Sequence, residues 1–199
     1  MNIEKVLQIL KRTYPEAKCS LDYKDTWQLL VAVILSAQCT DKRVNLITPT
    51  FFKKYPTIEH IAKAPREAIE ESIKSAGYYH SKAKAIQESA EKILEEYKGQ
   101  VPQIMQELLS LPGVGRKTAN VFLAEHGKHA LPVDTHVFYL SRKLGWAKDK
   151  NPHKVEEELK KLFPKKYWNR INSTLVRFGK THTSRKQKDK LLEEIKKIK

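Results

Sequence analysis

The sequence predicts an all-α fold. Three observations carry that prediction: apolar residues recur at helical spacing along nearly the whole chain, glycines and prolines punctuate the ends of those stretches, and no run alternates with the period of a strand. Ile3, Val6, Leu7 and Leu10 mark a first helix that Pro15 stops. Thr26 is expected to cap a second, 27–37, which is apolar on almost every side and therefore reads as the central buried helix. Asp41 is expected to start a third over 41–54, with Val44, Ile47 and Phe51 inward and a kink at Pro49. A short turn of helix follows Thr57, another opens at Pro65, and Gly77 is placed at its left-handed end.

Ser81 is expected to cap a long amphipathic helix with Ala85, Ile86, Ala90, Ile93, Leu94 and Tyr97 on one face, closed by Gly99. After Pro102, a helix over 104–109 is broken by Leu111-Pro112-Gly113-Val114-Gly115 and resumes over 116–126 until Gly127. Asp134 can cap 135–144, Pro152 begins 152–163, and 167–178 forms one more helix before a basic tail.

At 199 residues with 40% hydrophobic content the chain can fill a core, which excludes chain-wide disorder. Its formal net charge of +15 points to a polyanionic partner, with nucleic acid the leading candidate. The longest apolar run, 29–35, is far short of the roughly 20 residues that span a bilayer, so no membrane partner is expected. Met1-Asn2-Ile3-Glu4-Lys5 has no signal-peptide pattern, and the expectation is a protein that stays inside the cell. Two cysteines, Cys19 and Cys39, form no close pair, so no disulfide framework, cysteine zinc site or iron-sulfur site is expected. The seven histidines show no ligand spacing, and no metal or cofactor is assigned.

The segment from Leu111 to Asn120 carries the sharpest chemical signal. Two glycines, Gly113 and Gly115, permit left-handed backbone angles that turn amide N–H groups outward into a phosphate cradle at a helix start. A plain helix–helix turn would use the same glycines. Arg116 and Lys117, however, put two cations where the helix macrodipole is positive, a placement that disfavours each by up to about 1 kcal/mol and that stability would not select. An amine on the first turn of that helix can also act as a nucleophile. It serves equally as a phosphate-binding cation. Asp134, 17 positions on, is a helix cap or the carboxylate partner of that amine.

Three blocks now stand in order: Ile34-Leu35-Ser36-Ala37-Gln38-Cys39-Thr40-Asp41, Leu111-Pro112-Gly113-Val114-Gly115-Arg116-Lys117-Thr118-Ala119-Asn120, and Val133-Asp134-Thr135-His136. In content and spacing the chain resembles the endonuclease III-type DNA glycosylases of the helix-hairpin-helix superfamily. The resemblance implies a two-lobed fold, with one lobe over 22–131, a second from 1–21 plus 132–199, and an active site in the cleft between them. It implies Lys117 as Schiff-base nucleophile and Asp134 as catalytic aspartate, with Leu111, Gly113, Val114, Gly115 and Arg116 on DNA. It further implies that Gln38 enters the duplex to fill the gap left by a flipped nucleotide, and that Tyr78 stands at the family's second wedge. Ser36, Asp41 and His136 would line the base pocket, although Ser36 can equally satisfy a helix end, Asp41 a helix start, and His136 core packing or a cap.

The implied partner is double-stranded DNA containing damaged bases or abasic sites, handled by a cytoplasmic monomer, nucleoid-associated if prokaryotic. The implied activity is that of a DNA glycosylase with AP lyase function, oxidised pyrimidines being the favoured lesions. An enzyme restricted to abasic sites and a mismatch glycosylase are alternatives within the superfamily, the latter disfavoured by Lys117. A non-catalytic DNA-binding module would need the hairpin but not the pairing of Lys117 with Asp134. In one respect the chain departs from the pattern. Many members hold an iron-sulfur cluster with four cysteines after a His-Gly-Arg segment; here Phe178-Gly179-Lys180-Thr181-His182-Thr183 stands there and no cysteine follows. The stretch 185–199 is instead basic, with Leu191, Leu192, Ile195 and Ile198 at helical spacing, and either docks on the second lobe or contacts DNA.

Overall fold

The computed structural model describes Gln8, Ile9 and residues 20–197. The first expected helix, with Ile3, Val6, Leu7, Leu10 and Pro15, lies outside the described residues except for Gln8 and Ile9, and so does Ile198. Every regular element among the described residues is helical: α1 (Thr26–Leu35), α2 (Asp41–Lys54), α3 (Ile58–Ala62), α4 (Arg66–Ile73), α5 (Tyr79–Tyr97), α6 (Met105–Leu109), α7 (Arg116–Glu125), α8 (Thr135–Lys143), α9 (Pro152–Leu162), α10 (Trp168–Thr181) and α11 (Arg185–Lys196), with a short 3-10 turn at Lys165–Tyr167. None is long and apolar enough to cross a membrane. The chain separates into two compact units, Ser20–Leu123 and the residues from Ala124 onward.

In the first unit α1 is buried from Trp27 to Leu35, as its lack of a polar face requires. It packs on α2 and on α5, the 19-residue helix that also receives α3 and α4. The α2 helix runs unbroken through Pro49 and turns Val44, Ile47, Thr48 and Phe51 inward. Three caps differ from expectation. Asp25, not Thr26, caps α1, accepting the Gln28 N–H at 2.8 Å, and the helix ends at Leu35 rather than 37, the chain passing through a turn that leads to left-handed Gln38 at φ 52°. Thr40, not Asp41, caps α2 through the Arg43 N–H. Ser81 lies inside α5, whose first flanking residue is Tyr78, and Tyr78 rather than Gly77 takes the left-handed conformation, at φ 59°.

The second unit is built on one apolar cluster that joins α8, α9, α10 and α11 through Val137, Leu140, Val155, Leu159, Ile171, Leu175, Phe178 and Leu192. Trp146 meets the edge of Phe163 at 5.0 Å, and the Trp168 indole N–H donates to the Phe163 carbonyl. Leu192 is 2% exposed, and Leu191 and Ile195 pack beside it, so the basic stretch is a docked helix. Its Asp189 accepts from the Tyr139 hydroxyl and pairs with Lys143 at 3.3 Å, both on α8. Burial of the apolar seam and this polar clamp act on the same helix pair.

Candidate active site

The segment between α6 and α7 is held down by α5 at two points. The Ser89 hydroxyl on α5 donates to the Pro112 carbonyl at 2.9 Å, and Lys92 Nζ donates to the Ser110 carbonyl at 3.2 Å. Leu111 and Val114 face inward and are 2% and 5% exposed. Gly113 is left-handed at φ 74°, and a Cβ there would stand 2.6 Å from the Ala85 Cβ, so both conformation and space demand glycine. Gly115 is different: its backbone is not left-handed, and a Cβ would meet nothing within 4 Å. The cradle expected from two left-handed glycines is therefore built with one. Nor does Val114 offer its amide outward, since that N–H donates to the Leu111 carbonyl at 3.1 Å. The side chains of Leu111 and Val114 anchor the turn, and the amides of Gly113, Gly115, Lys117 and Thr118 find no acceptor among the described residues.

Lys117 occupies the first turn of α7, exposed, with no acid in that turn and no hydrogen bond or ion pair to any described residue. Asp134, in the second unit, caps α8: Oδ1 accepts the Val137 N–H at 2.8 Å, and Oδ2 accepts nothing from the described residues. The approach to Asp134 is fixed by two asparagines of α10. Asn169 donates to the carbonyls of Ala124 and Lys128 and accepts the Ala130 N–H, and Asn172 donates to the Pro132 carbonyl at 2.6 Å. His136 lies against the backbone of α10 so closely that a Cβ on Gly179 would stand 2.3 Å from its Nδ1. That contact is the physical reason for glycine in Phe178-Gly179-Lys180.

Gln38 and Tyr78 share an unusual backbone. Both are non-glycine residues in the left-handed region, at φ 52° and 59°, and both are exposed, Tyr78 at 68%. Neither side chain has a hydrogen-bond partner among the described residues. Their loops abut: a Cβ on Gly77 would lie 3.6 Å from the Gln38 carbonyl oxygen. Beside them sits a residue that sequence reading missed, Lys82, only 6% exposed, whose Nζ donates to the Leu35 carbonyl at 2.7 Å. Its signal was the register, since Lys82 falls one turn before Ala85 and Ile86 and two before Ser89 on the buried face of α5. Ser36 Oγ donates to the Val33 carbonyl at 2.8 Å, which ties it to the end of α1, and Asp41 accepts from the Ser20 hydroxyl.

The iron-sulfur group found in many proteins of the pattern does not fit this chain. The residues that follow α10 contain no cysteine and form α11, whose Leu192 fills the apolar cluster.

A family model described as HhH-GPD superfamily base excision DNA repair protein matches residues 31–165, a span that takes in Gln38, the hairpin, Lys117 and Asp134. Fold and hairpin thus define the class. The chain is 50% identical to the endonuclease III of Synechocystis sp. over 181 residues, 88% of this chain and 81% of that protein. It is 43% identical to the endonuclease III of Bacillus subtilis over 182 residues, 90% of this chain and 83% of that one. A solved structure of a trapped endonuclease III–DNA covalent intermediate matches with a TM-score of 0.87 at 40% identity, covering 92% of this chain and 86% of its own. The chain belongs to the HhH-GPD superfamily of base excision DNA repair proteins, in its endonuclease III branch.

Proposed function

We propose that the chain excises damaged bases from double-stranded DNA with Lys117 as nucleophile and Asp134 as its carboxylate partner, and then cleaves the strand. The class of activity is that of its family: a base excision repair DNA glycosylase with AP lyase activity, acting on damaged bases in DNA. One observation carries the assignment of the nucleophile. Lys117 is an exposed amine without a partner among the described residues, on the first turn after the hairpin, in a chain that closely resembles a protein trapped covalently on DNA.

The glycosidic bond of a stacked base is out of reach of a side-chain amine, so the nucleotide must be flipped out at a cost of a few kcal/mol. Gln38 and Tyr78 fill the space it leaves, an aromatic stack on a base being worth about 1–3 kcal/mol. Asp134 accepts the Lys117 proton on Oδ2, the oxygen not committed to the helix cap, or stabilises positive charge on the sugar. Lys117 Nζ then attacks C1′; the glycosidic bond breaks and the base leaves with its electron pair. The C1′–O4′ bond then breaks, O4′ takes up the proton lost from Nζ, and the ring-opened Schiff base that results acidifies C2′; loss of that proton breaks the C3′–O bond and expels the 3′ phosphate. The amides of Gly113 and Gly115, which have no acceptor among the described residues, hold a backbone phosphate together with Arg116 and set register without reading sequence. Oxidised or saturated pyrimidines are the proposed substrates. The bacterial relatives support a cytoplasmic place on nucleoid DNA.

The test is a panel of lesions in duplex DNA incubated with and without borohydride. Lys117→Gln should abolish both borohydride trapping and strand cleavage while duplex binding stays near that of the parent. Undiminished trapping in that variant would remove Lys117 from the reaction.

A further inference from the structure

We propose that Lys82 is a positioning residue that locks the Gln38 and Tyr78 loops into one rigid wedge. The inference rests on the reading of those two residues as the groups that replace a flipped nucleotide. Lys82 stands where the loops meet, its backbone in the first turn of α5 after Tyr78 and its side chain on the end of α1. Its backbone N–H donates to the Tyr78 carbonyl at 3.1 Å, and its Nζ donates to the Leu35 carbonyl at 2.7 Å, three residues before Gln38.

The remaining carbonyls at the end of α1 are served locally. Ala32 accepts the Ser36 N–H, Val33 the Ser36 hydroxyl, and Ile34 the Ala37 N–H, which leaves Leu35 to be satisfied from 47 residues away. A helix end requires such partners, and a cation there also complements the macrodipole. Yet water would serve an exposed carbonyl, and an apolar side chain would serve a core. Lys82 is the one lysine or arginine buried among the described residues, and burial holds its amine below the usual lysine range. An amine kept there against that penalty fixes where the chain leaves α1.

What it fixes is a pair of strained residues. A non-glycine residue in the left-handed region is strained and persists only where its surroundings over-determine it. Gln38 and Tyr78 have no side-chain hydrogen bonds among the described residues to hold them, and their loops abut where Gly77 meets the Gln38 carbonyl. The bond from Lys82 to Leu35 therefore ties the first loop to the helix whose start carries the second. Without it the two side chains still exist but no longer enter a duplex in a fixed mutual arrangement.

The experiment uses duplex DNA with 2-aminopurine opposite a tetrahydrofuran abasic-site analogue, together with a single-stranded natural abasic site. In Lys82→Met the 2-aminopurine fluorescence change on binding should be lost, and preference for the abasic duplex over intact duplex should fall about tenfold, the weight of one lost base–aromatic stack. Borohydride trapping on the single strand, which needs no wedge, should persist at the parent rate. Lys82→Gln, too short to reach Leu35, replaces Lys82→Met if the latter does not fold and should behave alike. A parent-like fluorescence change, or a fall in trapping and preference together in step with melting temperature, would overturn the proposal. Gln38→Ala and Tyr78→Ala run in parallel separate the two readings. If they leave the fluorescence change intact the wedge itself is wrong, and if they abolish it while Lys82→Met and Lys82→Gln do not, only the role of Lys82 is wrong.

Discussion

Gly113 and Gly115 look alike in the sequence, but the structure makes opposite demands on them, and substituting each by alanine separates fold from function. At Gly113 the added Cβ would stand 2.6 Å from the Ala85 Cβ, where ordinary contact begins at 3.4 Å, so α5 and the hairpin must part by about 0.8 Å. Forced overpacking of this kind costs roughly 1–3 kcal/mol. The left-handed backbone, at φ 74°, adds about 1–2 kcal/mol for any residue with a Cβ. Gly113→Ala should therefore lose about 2–5 kcal/mol in denaturant unfolding of the parent chain. Introducing Ala85→Gly beside it should return the steric part, so that the two changes couple by about 1–3 kcal/mol in a double-mutant cycle while the backbone part remains. At Gly115 no atom lies within 4 Å of the added methyl and the backbone is not left-handed. Gly115→Ala should stay within about 1 kcal/mol of the parent, yet weaken duplex binding, because the methyl stands among the amides proposed to hold phosphate. Binding is measured by fluorescence anisotropy of labelled abasic duplex at fixed salt. Equal stability for Gly113→Ala and the parent, or parent-like binding by Gly115→Ala, would refute this division.

Asp134→Asn keeps an oxygen for the Val137 N–H and so should melt near the parent temperature, while base release measured by glycosylase assay falls by orders of magnitude; the reverse pattern would leave Asp134 a cap only. Leu192→Ala should destabilise the second unit by about 2–5 kcal/mol in chemical denaturation, since Leu192 is 2% exposed within its cluster. Asp189 is held below the ordinary aspartate value of 3.8, first by the hydrogen bond from Tyr139 and then by Lys143. A carboxyl lowered in the folded state binds fewer protons than in the unfolded chain, so its contribution is complete above that value and is lost as pH falls through the lowered one. Tyr139→Phe should make acid unfolding between about pH 4 and pH 2, followed by circular dichroism, less steep, and an unchanged acid limb would exclude this bond as a contributor.

The helices were legible because their apolar faces are set by a local period that tertiary contacts only reinforce. α1 reads as buried from composition alone, and the spacing of Leu191, Leu192 and Ile195 foretold a face that the structure packs on the α8–α10 cluster. The caps were less legible for a definite reason. Asp25-Thr26 and Thr40-Asp41 each place two side-chain acceptors side by side, and which one caps depends on where the backbone leaves the helix. Thr40 takes the cap of α2, and the Asp41 carboxylate accepts from the hydroxyl of Ser20, 21 residues earlier. At the hairpin, pattern matching read two equivalent glycines, whereas packing of Gly113 on Ala85 distinguishes them.

The deeper failure of local rules is at Gly77-Tyr78. Glycine is the ordinary occupant of a left-handed position, so the rule assigned it to Gly77, and the chain instead put Tyr78 there. Gln38 breaks the same rule. A third such residue, Lys98, shows that the conformation need not signal function: it closes α5, is followed by left-handed Gly99, and the Gly99 N–H donates to the Ile93 carbonyl at 3.0 Å, an ordinary helix end. Gln38 and Tyr78 terminate nothing of that kind. Tyr78 stands at the start of a helix without a side-chain cap, and Gln38 stands between two helices whose ends are already satisfied by Ser36, Lys82 and Thr40. Strain that secondary structure does not require, in two abutting loops whose side chains have no hydrogen-bond partners among the described residues, is strain retained for something outside the fold. Removing it is informative in its own right. Tyr78→Gly should raise or preserve stability by relieving the left-handed penalty, and should still lose the 2-aminopurine response, because the ring is gone. A large loss of stability in Tyr78→Gly would mean that the ring packs on the fold after all, against its 68% exposure, and would return the loop to a structural role.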